Sequence, residues 1–214
     1  MLTLAAIFAT SFAVALSGAM MPGPLFTVTV GESSRRGPGV GPLLILGHGI
    51  LELTLVAALV LGLGPLLQTE AVFVATALAG GAVLVWMAWG MLRDLPRLRL
   101  AADFRRPAPG NLVLAGIVLS LVNPYWIIWW VSIGLGYITH SLSFGLWGVV
   151  VFFSGHILAD LAWYTAVSVA VWKGRRFMSD RFYRGLMGAC AIFLIVFAGL
   201  FGYAGVQRLW HWWI

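Results

Sequence analysis

Apolar residues run in six long stretches, near positions 4–30, 42–63, 71–92, 111–137, 144–172 and 185–206, separated by short polar or Gly/Pro-containing connections. Each stretch holds the roughly 20 helical residues needed to cross a hydrocarbon layer. The pattern therefore predicts an all-α integral membrane protein with six transmembrane helices. The longest polar connection, Arg93 to Gly110, contains Pro96, Pro107 and Pro109 with charges of both signs. It reads as a linker (93–110) between two three-helix units, 1–92 and 111–214.

Polar residues inside the apolar stretches matter most, because ionisable groups are costly in hydrocarbon and face a bundle interior or an aqueous cavity when they occur. Gly47-His48-Gly49-Ile50-Leu51-Glu52-Leu53 reappears 108 positions later as Gly155-His156-Ile157-Leu158-Ala159-Asp160-Leu161. Each copy sets a His and a carboxylate four residues apart on one helix face. At 1.5 Å per residue, His48 and Glu52 lie about 10 to 17 Å along span two, and His156 and Asp160 about 18 to 24 Å along span five. The two pairs are expected to approach a common depth. Because each unit has an odd number of spans, the second enters the membrane from the opposite face, so the repeat is expected to be inverted.

Composition supports the membrane reading: 61% of the 214 residues are hydrophobic and only 9% charged. Charge then orients the bundle, since cytoplasmic loops retain Lys and Arg. Arg35 and Arg36 follow span one; Arg93, Arg97, Arg99, Arg105 and Arg106 follow span three; Lys173, Arg175, Arg176, Arg181 and Arg184 follow span five. Twelve of the 13 basic residues thus fall on one side, Arg208 being the exception, and both termini are expected outside a bacterial or archaeal plasma (inner) membrane. The net charge of +6 is a topology signal, with binding to anionic lipid headgroups as a consequence. Short interhelical basic patches without a soluble domain argue against nucleic acid as a partner. Met1 to Met21 lacks a basic leading segment, so it is expected to stay as the first span rather than to be cleaved as a signal. Cys190 is the only cysteine, which rules out an intramolecular disulfide and paired-thiol relays.

Met21-Pro22-Gly23-Pro24 interrupts span one and Asn123-Pro124-Tyr125 interrupts span four. Proline removes an amide donor and disturbs the carbonyl one turn earlier, so breaks rather than gentle bends are expected. Backbone groups freed this way are tolerated in a membrane only where protein or water satisfies them, so both breaks should face inward. A half-helix beginning after Pro24 or Pro124 presents amides and partial positive charge, a seat for a substrate carboxylate. Glu52 and Asp160 would then face the substrate's cationic end. The candidate substrate-binding residues are Pro22, Gly23, Pro24, Asn123, Pro124, Tyr125 and Trp126; the candidate proton-coupling residues are His48, Glu52, His156 and Asp160.

Pro22-Gly23-Pro24 near the end of span one, Arg35-Arg36-Gly37 after it, the acid in span two, Asn123-Pro124 in span four and Gly155 to Trp163 in span five resemble the LysE/RhtB family of amino-acid exporters. The resemblance covers nearly the whole length. It implies a six-span inner-membrane secondary transporter that exports amino acids or related metabolites using the proton gradient. Its expected partners are a small-molecule substrate, protons and membrane lipids; homo-oligomerisation stays open. Family members often carry Asp in span two without the preceding His, whereas this chain has His48 with Glu52.

Each feature also has a plainer reading. The His/acid pairs could lock two helices, the prolines could be structural kinks and Asn123 a helix cap. Trp129 and Trp130 read as packing or interface anchors, while Tyr125 and Trp126 are the better candidates for lining or gating. Gly80-Gly81 and Gly185 with Gly188 read as close helix contacts. Duplication favours function for the His/acid pairs. Two rival functions use the same four residues: a divalent metal cation transporter with a His/carboxylate ligand set, and an intramembrane enzyme. The second lacks any H-E-x-x-H, nucleophile-elbow or dinucleotide pattern. The helix breaks favour a zwitterion over a metal as cargo, and no enzymatic activity, cofactor or resident metal is expected.

Overall fold

A computed structural model describes residues 3–98 and 110–213. Arg99, Arg105, Arg106, Pro107 and Pro109 of the expected linker lie outside the described residues, as do Met1 and Leu2. In chain order the helices are α1 (Leu4–Ala19), α2 (Pro24–Arg36), α3 (Val40–Val60), the short α4 (Gly64–Leu67), α5 (Glu70–Asp94), α6 (Leu112–Leu121), α7 (Pro124–Trp129), α8 (Leu135–Leu142), α9 (Gly145–Gly174) and α10 (Asp180–Trp213). A π-helical segment, Trp130–Gly134, joins α7 to α8. Strands are absent among the described residues.

Four helices are individually long and apolar enough to cross a membrane: α3, α5 with its 3-10 extension to Arg97, α9 and α10. Two bent pairs satisfy the same condition jointly. The chain turns by 74° between α1 and α2, and by 65° between α6 and the segment Pro124–Leu142. The local sequence explains both breaks. Pro24 and Pro124 each occupy the first turn of a new helix, where a missing amide costs nothing. Gly23, ahead of α2, is extended and gives no side-chain cap, whereas the Asn123 side-chain oxygen accepts from the Tyr125 amide at 3.2 Å.

Large apolar side chains cover the outside of the bundle, while the ionisable groups His48, Glu52, His156 and Asp160 of its apolar helices are buried. On α3, Glu52 is 1% exposed while its neighbour Leu53 is 56% exposed. Leu46 and Ile50 also face outward on α3, as do Ile192, Ile195, Val196 and Leu200 on α10. An apolar exterior with the ionisable groups of the spans held inside is what a hydrocarbon solvent selects. The chain is accordingly a multi-pass membrane protein.

Three helix pairings build the interior: α1 runs along α9, α3 along α6, and α5 along α10. Glycine sets the distance in the first two. A Cβ on Gly47 would strike the Val113 backbone carbonyl of α6, and one on Gly155 would strike the Phe8 carbonyl and the Ser11 hydroxyl of α1. The Ser11 hydroxyl oxygen also sits 3.0 Å from the Phe152 carbonyl of α9 and donates to it. A buried polar link fixes the second half of the first broken pair: Ser33 of α2 donates to Ser168 of α9 at 2.9 Å, and Ser168 accepts from the Gly41 amide of α3 at 2.8 Å. Gly80 lies against the Val122 carbonyl and the Pro124 ring, as its sequence pattern anticipates, but Gly185 has no close neighbour among the described residues.

Because a backbone carbonyl cannot rotate out of the way, Gly155→Ala should destabilise the bundle by at least the about 1–3 kcal/mol typical of overpacking. Gly136→Ala, which meets nothing within 4 Å among the described residues, should not. Thermal midpoints of the two variants in detergent provide the check; equal midpoints would contradict the packing described.

Candidate functional site

The two His/acid pairs meet in the interior. α3 contributes His48 and Glu52, α9 contributes His156 and Asp160, and all four are buried. His156 Nε2 is 3.0 Å from Glu52 Oε2 and 3.4 Å from Asp160 Oδ2. His48 Nε2 is 3.1 Å from Glu52 Oε1 and 3.6 Å from Asp160 Oδ2. Each imidazole therefore faces both carboxyl groups, one of its own helix and one of the other.

Glu52 has two differently used oxygens. Oε1 accepts from the indole N–H groups of Trp126 at 3.0 Å and Trp130 at 2.9 Å. Oε2 makes no hydrogen bond among the described residues; neither does Asp160 Oδ2, nor either ring nitrogen of His156. Of these atoms, Glu52 Oε2 and Asp160 Oδ2 meet His156 Nε2 in close contacts between ionisable groups. Such a concentration of unsatisfied buried polar atoms marks a place where structure alone does not account for the groups present.

His48 is held more firmly. Its Nδ1 is 2.7 Å from the Ser120 hydroxyl oxygen, which is itself 2.8 Å from the Gly116 carbonyl. A carbonyl can only accept, so the Ser120 proton goes to Gly116 and the hydroxyl oxygen accepts from His48 Nδ1–H. That leaves Nε2 as the atom turned to the carboxyl groups. His156 has no equivalent partner and is positioned by aromatic packing, with ring centroids 4.7 Å from Trp129 and 5.3 Å from Trp130.

A cavity of about 80 Å³ opens beside these four residues. That is room for several waters, since one needs about 10–15 Å³ of such space. The helix breaks reach it through Met21, Gly23 and Leu25 on one side and through Asn123, Tyr125 and Trp126 on the other. Of the candidate substrate-binding residues, Gly23, Asn123, Tyr125 and Trp126 line this cavity. Pro22 and Pro24 border a smaller neighbouring cavity of about 20 Å³, and Pro124 packs against Gly80. The prolines shape the breaks without lining the main chamber.

Ser120, Trp129, Trp130 and Tyr164 line or support the site and were not singled out for it by the sequence. Helical spacing held a signal for two of them. Trp130 lies four residues beyond Trp126, and Tyr164 four beyond Asp160, so each shares a face with a residue that was recognised. Ser120 carried no comparable signal.

Comparison with known proteins follows the same line. A family model described as LysE type translocator matches residues 16–205. The chain is 31% identical over 209 residues to the chemotactic transduction protein ChpE of Pseudomonas aeruginosa, covering 91% of this chain and 97% of that one. It is 24% identical over 123 residues to YcgF of Bacillus subtilis, a candidate amino acid efflux protein, covering 55% of this chain and 59% of that one. No solved structure matches significantly. Matched along most of its length, this membrane-spanning chain belongs to the LysE-type translocator family and is a transporter.

Proposed function

We propose that the protein exports amino acids or related small metabolites by proton antiport, through alternating access across a bacterial or archaeal inner membrane. One observation carries the reading: four buried ionisable side chains, several of their atoms without a hydrogen bond among the described residues, share one cavity with two broken helices. Helix breaks offer free amides to a carboxylate, acidic side chains offer charge to an ammonium group, and a zwitterion needs both. The uncapped start of α2 at Gly23 is the better carboxylate seat, because Asn123 already occupies an amide at the start of α7. The efflux name carried by YcgF supports a small metabolite as cargo.

An inverted architecture of six spans, with units 1–92 and 111–214, gains support from the packing. Exchanging spans one and four, two and five, three and six turns the α1–α9 pairing into the α6–α3 pairing and returns α5–α10 to itself. In this architecture the substrate enters from the cytoplasm and lodges between the breaks. Glu52 and Asp160, with His48 and His156 beside them, take up protons from outside as the cargo leaves. One unit then rocks against the other.

Glu52→Gln and Asp160→Asn should each abolish gradient-driven efflux from proteoliposomes while the protein stays folded; unchanged transport in both would remove them from the mechanism. Trp130→Phe leaves the Trp126 donor in place, so it should slow efflux without abolishing it and cost about 1–3 kcal/mol of stability. A wild-type rate and midpoint would contradict its role in holding the carboxyl. Reporter fusions should place both termini on the non-cytoplasmic side, and opposite placement of the two ends would exclude an even number of spans.

A further inference from the structure

We infer that the same four side chains form a binding site for one tetrahedral divalent cation of the zinc class, and that such an ion acts as a clamp between α3 and α9 rather than as cargo. His48, Glu52, His156 and Asp160 each offer one ligand atom, and these atoms all lie within 4.8 Å of one another. Tetrahedral zinc with bonds of about 2.0–2.1 Å needs ligand atoms about 3.3–3.4 Å apart. With Glu52 Oε2 and Asp160 Oδ2 as the oxygens, the N···O separations are 3.0 and 3.4 Å to His156 Nε2 and 3.6 Å from Asp160 to His48 Nε2, while His48 Nε2 lies 3.1 Å from the other Glu52 oxygen, Oε1.

The ligand atoms are also available. Glu52 Oε1 is taken by two indoles, but among the described residues Oε2 makes no hydrogen bond, nor do Asp160 Oδ2 and His156 Nε2. His48 Nδ1 is occupied by Ser120, which turns Nε2 to the same point. This is how proteins orient a metal-binding imidazole, with the distal nitrogen anchored and the proximal one presented. Two neutral imidazoles and two carboxylates carry a charge of −2, which a dication neutralises within an apolar enclosure. Nitrogen and oxygen donors in tetrahedral reach suit zinc and exclude the six-oxygen shell that magnesium requires. Since two ligands come from α3 and two from α9, the bound ion ties together helices of the two units and opposes their rocking.

The inference uses the chamber described above but not its proton chemistry, so the two can fail separately. Purified full-length protein in detergent, titrated with Zn2+ by calorimetry, should bind one ion per chain. Co2+ in its place should give the intense visible absorption of tetrahedral coordination. Ser120→Ala should weaken Zn2+ binding by about 10–100-fold, the usual effect of releasing a ligand's outer partner. The double variant His156→Gln/Asp160→Asn should lose saturable binding. X-ray absorption of the zinc-loaded wild type, which needs no variant to fold, should show two imidazole nitrogens and two oxygens. In proteoliposomes, Zn2+ should stop export without itself crossing.

Absence of one-to-one binding, retained binding in the double variant, or a shell containing sulfur would overturn the site. Zn2+ flux would overturn the clamp. Export that persists in chelator without any Zn2+ binding would remove the metal site alone; Zn2+ binding by a protein that exports nothing would remove the antiport reading alone.

Discussion

A carboxyl group in hydrocarbon is so unfavourable that the rest of this fold is best understood as the arrangement that accommodates Glu52. The group sits on a helix whose outward face, with Leu46, Ile50 and Leu53, is apolar and exposed, and it is 1% accessible. Its partners come from elsewhere in the chain. Trp126 and Trp130 reach it from the segment after the second helix break, and His156 reaches it from α9. Without those groups α3 would carry an unpaired polar atom at mid-length; with them, three distant pieces of sequence are tied to one point.

Close approach of backbones makes that convergence feasible. Gly47 brings α3 onto α6, one position before His48, and Gly155 brings α9 onto α1, one position before His156. The repeated Gly-His step thus couples packing to chemistry: the glycine removes the side chain that would hold the helices apart, and the histidine uses the space gained. The helix breaks complete the enclosure. Where α1 gives way to α2 and α6 to α7, the chain turns sharply, and residues of both breaks line the cavity. A polar pocket results inside a molecule whose surface is apolar.

Much of this was legible in the residues, for identifiable reasons. The His/acid repeat stands out because few charged residues occur in the apolar stretches, and ligand atoms of the four side chains it names are brought within 4.8 Å of one another. Pro22-Gly23-Pro24 and Asn123-Pro124 mark the breaks because proline acts locally, whatever the tertiary context. Trp130 was not legible as a partner of Glu52. It looks like any membrane tryptophan, and its aim depends on a π-helical segment that periodicity does not report. Gly134 lies in that segment, and a Cβ there would collide with the Trp130 ring, so the indole's position depends on a glycine four residues ahead. Ser120 was hidden for a similar reason: a serine in an apolar helix acquires meaning only when another helix brings His48 to it. Gly185 illustrates the converse, a small residue with no close neighbour among the described residues.

The central claim is that Glu52 and His156, from helices far apart in sequence, act on each other across the interior. A double-mutant cycle on unfolding free energy, with Glu52→Gln, His156→Gln and both together, measures that directly. The account predicts a coupling energy above about 0.5 kcal/mol, within the range found for contacting polar groups in membrane proteins. Additivity to within about 0.3 kcal/mol would contradict it.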